Sequence, residues 1–80
     1  MAESSDWEEK DGALERTVKL PSFPEAIAFV NRLAEVAERE NHHPDLSISY
    51  RTVTVRWTSH SEGGITERDR ALAAETDTLL

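Results

Sequence analysis

From Ala13 to Leu20 the chain reads ALERTVKL, in which Leu14, Arg16, Val18 and Leu20 alternate with Glu15, Thr17 and Lys19. A period of two with one polar row predicts a β-strand that wets one face. Ahead of it, Trp7 to Lys10 makes a second short run, and Asp11-Gly12 is a residue pair favoured in two-residue hairpin turns. The period changes at Ser22-Phe23-Pro24-Glu25. Ser22 suits an N-cap, Glu25 stands three residues on to return the bond, and Pro24 lies in the first turn, where its missing N–H costs nothing. The helix so started carries Ile27, Val30, Ala34 and Ala37 at helical spacing. Phe29, Leu33 and Val36 widen that stripe enough to cover a sheet, and the helix ends near Glu40, ahead of Pro44.

Alternation then returns. Leu46, Ile48 and Tyr50 interleave with Ser47, Ser49 and Arg51; after a turn near Arg51 and Thr52, Val53, Val55 and Trp57 interleave with Thr54, Arg56 and Thr58. This is the pattern of an antiparallel strand pair. Residues 61–64 form a loop, and Thr66-Glu67-Arg68-Asp69 opens a second helix with another Thr-x-x-acid cap, carrying Leu72, Thr76 and Leu79 on one face. The order ββαββα with short connections predicts an α+β sandwich: a four-stranded antiparallel sheet with two helices on one face. Its other face stays wet or meets a partner.

Composition narrows the possibilities. Eighty residues make one domain, expected over 7–80 behind a disordered N-terminus at 1–6, and such a chain buries only about 60% of its unfolded surface or a little more. There is no cysteine to form a disulfide or act as a nucleophile, no leader-like segment and no long apolar run, so the expectation is a soluble cytoplasmic protein without membrane contact. Nine basic against sixteen acidic residues leave a net charge of −7, which argues against a nucleic-acid partner, because phosphate binding needs clustered Lys and Arg.

Candidate chemistry lies in the histidines, all three at element ends: His42 and His43 after the first helix, His60 after the strand that holds Trp57. Imidazole donates and accepts protons near neutral pH and also ligates metals. A three-histidine zinc site is disfavoured, since adjacent side chains point about 100° apart on a helix and to opposite faces on a strand. A histidine at a helix C-terminus also complements the helix dipole and bonds terminal carbonyls, so a capping role stands beside proton transfer.

Glu38-x-x-x-His42-His43-Pro44, Tyr50, Thr58-Ser59-His60, Gly63-Gly64 and Thr66-Glu67-Arg68-Asp69 together resemble the signature of the pterin-4a-carbinolamine dehydratases, over nearly the whole chain. The resemblance implies the same ββαββα fold and a dehydration of 4a-hydroxytetrahydropterin to quinonoid dihydropterin, with neither metal nor cofactor. It likens His42 and His60 to an acid/base pair and His43 to the histidine that holds the pterin. It places substrate contacts on Asn41, His42 and His43 and on Thr58, Ser59, His60 and Ser61, with backbone groups expected to bond the pterin edge. Glu38, one helical turn before His42, is positioned to orient that ring. Asp69 closes the signature, although capping alone also explains it. Trp7 aligns loosely with a tryptophan near the pterin in relatives; packing on a small core is the competing role. Pro44 stops the helix and stiffens the doublet, and Gly63-Gly64 lets the loop turn.

A non-catalytic binding or assembly module on the same fold is the alternative. An uncovered sheet face on so small a domain further predicts a homodimer or homotetramer.

Overall fold

The computed structural model describes residues 6–80, so most of the expected disordered N-terminus lies outside the described residues. Glu8–Lys10 (β1) and Ala13–Lys19 (β2) form the first hairpin, with Lys10 opposite Ala13 and Asp11-Gly12 between them. Both turn residues have positive φ, 53° and 78°, as a type I′ turn requires and as this residue pair tolerates. Phe23–Glu40 (α1) begins as its sequence predicts, with the Ser22 hydroxyl accepting from the Glu25 amide at 3.3 Å.

Asp45–Ser49 (β3) and Thr52–Trp57 (β4) form the second hairpin, and Glu67–Thr78 (α2) closes the chain. Because Ser49 pairs with Thr52, the turn is Tyr50-Arg51, one residue earlier than the alternation suggests. Tyr50 therefore leaves the strand row and takes a left-handed φ of 56° at the hairpin tip. The four antiparallel strands lie in the order β1-β2-β4-β3 and, with the two helices, make the predicted fold.

The core joins Leu14, Val18 and Leu20 of the β2 region, Val53, Val55 and Trp57 of β4, Phe29, Leu33 and Val36 of α1, and Leu72 and Ala73 of α2. Trp57 is fully buried, and its indole N–H donates to Thr76 Oγ1 at 3.0 Å; that hydroxyl in turn donates to the Leu72 carbonyl at 2.7 Å. The one polar atom of a large apolar side chain is thus satisfied within the core. Arg16, on the inward row of β2, is accommodated at the core's edge by an ion pair with Asp77 of α2.

Two expectations about packing shift. The buried stripe of α1 is Ala26, Phe29, Leu33, Val36 and Ala37, whereas Ile27 and Val30 are only half-buried and Ala34 is exposed. The helix carries two adjacent apolar rows, and only one can face a four-stranded sheet. Strand β3, at the sheet's edge, is exposed along its whole length, although Leu46 and Ile48 pair with the buried Val55 and Val53 and so share their helix-side face. The helices do not reach over it. The opposite face of the sheet is polar: the hydroxyls of Thr17 and Thr54 hydrogen-bond across strands at 3.0 Å, and Glu15 lies near both Lys10 and Arg56.

Candidate active site

The end of α1 is set by Asn41, whose φ of 50° is left-handed and whose N–H returns to the Ala37 and Glu38 carbonyls. Asparagine is among the few non-glycine residues that adopt this conformation readily, which accounts for its place before the doublet. From α2, Arg68 reaches back to donate to the carbonyls of Glu40 and Asn41, covering acceptors that the helix end leaves open. The backbone entering His42 is therefore held from both sides.

His42 and His43 diverge, as adjacent residues should. His42 turns inward: its ring stacks on Trp57 with centroids 5.6 Å apart and planes inclined by 16°, and its Nε2 lies 2.6 Å from Asp69 Oδ1. His43 turns outward, where its Nε2 lies 2.6 Å from Glu38 Oε2 in an exposed pair. The expected partnership of Glu38 with His42 is thus replaced: Glu38 orients His43, and Asp69 orients His42. An i to i+4 rule assumes that the helix continues, and the left-handed turn at Asn41 rotates His42 away from Glu38 and brings His43 round to it.

Asp69 is completely buried. Its Oδ1 faces His42, and its Oδ2 accepts from Ser59 Oγ at 2.8 Å, from the Thr66 amide at 2.9 Å and from Thr66 Oγ1 at 3.2 Å. Burial by itself would raise this carboxyl's pKa, but the hydrogen bonds from His42, from the Thr66 amide and from Ser59 outweigh it and hold the group below its ordinary value. Capping and ring orientation are therefore not alternatives for Asp69. One oxygen closes the capping box of α2 while the other holds the imidazole.

The Thr58 to Gly64 segment brings the second half of the expected site. His60 opens a single 3₁₀ turn, His60–Glu62, and is exposed; Ser61 beside it is exposed too. Gly63 ends the turn at φ 88°, a conformation costly for any residue with a Cβ. Thr58 Oγ1 donates to the Gly12 carbonyl at 2.8 Å, tying this loop to the first hairpin. Ser59 is held by bonds within the protein. Its N–H donates to the Gly64 carbonyl, its carbonyl accepts from both Glu62 and Gly64, and its buried hydroxyl is engaged with Asp69, so these groups brace the loop and the His42–Asp69 pair.

Trp7 lies elsewhere. Its indole N–H donates to Asp77 at 3.0 Å and borders a groove of about 370 Å3 between β1 and α2, whose lining includes none of the histidines. His43, Glu38 and Pro44 instead border a pocket of about 160 Å3 completed by Leu33, Ala34, Ala37 and Leu46. Among the described residues no three His, Asp or Glu side chains gather as a metal-binding set.

The chain matches the family model described as pterin 4 alpha carbinolamine dehydratase over residues 1–79. A protein of Mycobacterium sp. (strain KMS), provisionally named as a pterin-4-alpha-carbinolamine dehydratase, is 51% identical over 80 residues, the whole of this chain and 85% of that protein. A similarly named protein of Chloroflexus aurantiacus is 44% identical over 80 residues, covering the whole of this chain and 86% of its own length. The crystal structure of a transcriptional coactivator/pterin dehydratase from Brucella melitensis superposes with a TM-score of 0.88 at 33% identity, covering 92% of this chain and 81% of that one. A pterin dehydratase-like protein described as a RuBisCO assembly factor in the alpha-carboxysome superposes with a TM-score of 0.76 at 25% identity, over 98% of this chain and 90% of that one.

Proposed function

Because the chain belongs to the pterin 4 alpha carbinolamine dehydratase family, we propose that it dehydrates 4a-hydroxytetrahydropterin to quinonoid dihydropterin, regenerating the pterin used by aromatic amino acid hydroxylases. The observation that carries this reading is the His42 imidazole, stacked on a buried tryptophan and bonded to a buried carboxylate, and next in the chain to His43, which itself borders a pocket. A surface histidine that merely capped a helix would need none of these partners.

Loss of water from the carbinolamine requires a proton on the departing C4a hydroxyl and removal of the proton on N5, whose electron pair then forms the C4a=N5 bond. His42 and His60 are the acid/base pair of this reaction, and His43, steadied by Glu38, holds the pterin. Asn41, Thr58 and Ser61 border the bound substrate. Each positioned proton-transfer group contributes about 10² to 10⁴ in rate, enough for an elimination that also proceeds in water. No metal or cofactor has a step to perform. Stopped-flow absorbance on chemically generated 4a-hydroxytetrahydropterin should show dehydration accelerated by the protein; a rate equal to that in buffer alone would sink the proposal.

The RuBisCO assembly factor among the structural neighbours favours a second reading, a binding or assembly module without turnover. Absent acceleration, together with a stoichiometric macromolecular partner, would select it.

The site is proposed to work in a cytoplasmic homo-oligomer; no helix among the described residues is long and apolar enough to cross a membrane. Supporting self-association, Leu46 and Ile48 remain 39% and 42% exposed on edge strand β3, on the same side of the sheet as the outer apolar row of α1. The polar opposite face makes edge pairing the better contact. Light scattering should give a dimer or tetramer, and Leu46→Lys with Ile48→Lys should shift it toward monomer. A monomeric wild-type protein at working concentration would refute the assembly.

A further inference from the structure

Ser59 stands where the two halves of the site meet, one residue before His60 in the chain and 3.3 Å from His42 Nε2 through its hydroxyl oxygen. That oxygen is 2.8 Å from Asp69 Oδ2, the shortest of its three polar contacts and one in which an ionised carboxylate can only accept, so the hydroxyl proton is directed to Asp69. With its proton spent there, Ser59 Oγ presents a lone pair to His42. Asp69 Oδ1, at 2.6 Å, also presents only lone pairs. Two acceptors thus face one ring nitrogen, and both are satisfied only if that nitrogen carries the proton.

We propose that Ser59 is a positioning residue for His42: acting through Asp69, it holds the imidazole in the tautomer protonated on Nε2, leaving Nδ1 as the single ring atom that exchanges a proton with bound substrate.

The geometry assigns each partner a part. Trp57 fixes the plane of the ring from below, and Asp69 fixes its edge. Ser59 and Thr66 together load Asp69 Oδ2 with three donors, which pins the carboxylate's orientation and turns Oδ1 toward His42. Ser59 is itself anchored by the paired backbone bonds Ser59 N–H to Gly64 O at 2.9 Å and Gly64 N–H to Ser59 O at 3.1 Å. A displacement of the His60 loop would therefore reach the ring of His42 through a short set of bonds. In either protonation state of His42 the Nε2 proton stays on the ring, so the exchanging proton enters and leaves at Nδ1. The assignment of a proton-transfer role rests on the dehydratase reading; the tautomer does not.

Long-range 1H–15N correlation of the imidazole rings in mildly alkaline solution tests the tautomer directly. Wild-type His42 is expected to show a protonated Nε2 and a bare Nδ1, and Ser59→Ala is expected to replace this with an average of the two tautomers. In steady-state dehydration, Ser59→Ala should lower kcat by about 10- to 100-fold with KM nearly unchanged, and Ser59→Thr, which restores the hydroxyl, should recover most of that loss. A wild-type spectrum with the proton on Nδ1 overturns the proposal, whatever the variants do. So does a folded Ser59→Ala protein with the wild-type spectrum and the wild-type kcat. An Nε2-protonated His42 in a protein that never accelerates dehydration would instead remove the dehydratase reading and leave the tautomer assignment standing.

Discussion

His42→Ala is expected to lower kcat for 4a-hydroxytetrahydropterin dehydration by about 10² to 10⁴, with a smaller effect on KM. The expectation follows from the ring's setting. An imidazole that is stacked on Trp57, bonded to Asp69 and only 13% exposed has one orientation to offer, and removing it deletes a group that is already placed. His60→Ala should act on the same step, but from an exposed turn whose side chain is less constrained before substrate binds. If the two residues are the acid and the base of one elimination, the double variant should lose much less than the product of the single losses, because removing either group already disables the concerted proton transfer. Full activity in both single variants would exclude histidine acid/base catalysis by this pair. Stopped-flow turnover is the measurement, and circular dichroism on the same samples checks that the fold survives, since His42 also covers the Trp57 ring.

Asp69→Ala is expected to cost stability on the order of 3 kcal/mol, the largest single-site loss among the polar residues of the site. It strands a buried donor from Ser59 and part-buried donors from the Thr66 amide and His42 at once, and a donor left without an acceptor carries a desolvation penalty that grows with its burial. Urea unfolding followed by Trp fluorescence would measure it; a change within about 0.5 kcal/mol would mean that the network contributes little. The same residue predicts a pH dependence. Its carboxyl is held below its ordinary value of 3.8, so the stabilisation it supplies is fully present above that value and is lost as the pH falls through the lowered folded value. Wild-type protein should therefore lose stability more steeply than Asp69→Asn below about pH 4. Parallel curves for the two proteins in that range would contradict the ionised Asp69.

Much of the fold was legible because it depends on periods that each segment carries by itself. Leu14, Val18, Val53, Val55 and Trp57 alternate because a strand with one buried face must, and Ser22 and Asp11-Gly12 satisfy local backbone geometry that needs no distant partner. The stripe of α1 is ambiguous in the sequence for a related reason. Ile27, Val30 and Ala34 have the same spacing as the buried row, and a linear pattern does not say which of two adjacent rows a sheet will cover. Alternation alone extends the strand to Tyr50, yet Tyr50 sits at the hairpin tip because register is set by cross-strand pairing of Ser49 with Thr52.

The site divides along the same line. By itself the sequence determined which residues bring chemistry: the doublet His42-His43, His60, Glu38 and Asp69 are recognisable from residue type, spacing and family resemblance. Only the tertiary structure decided which carboxylate serves which imidazole, that Trp57 lies beneath His42, and that Ser59 spends its hydroxyl on Asp69. The physical reason is that these partnerships join residues 5 to 27 positions apart across a left-handed helix end and a strand-to-helix loop. Their directions follow from how α1, β4 and α2 pack around one core, and no local period encodes that.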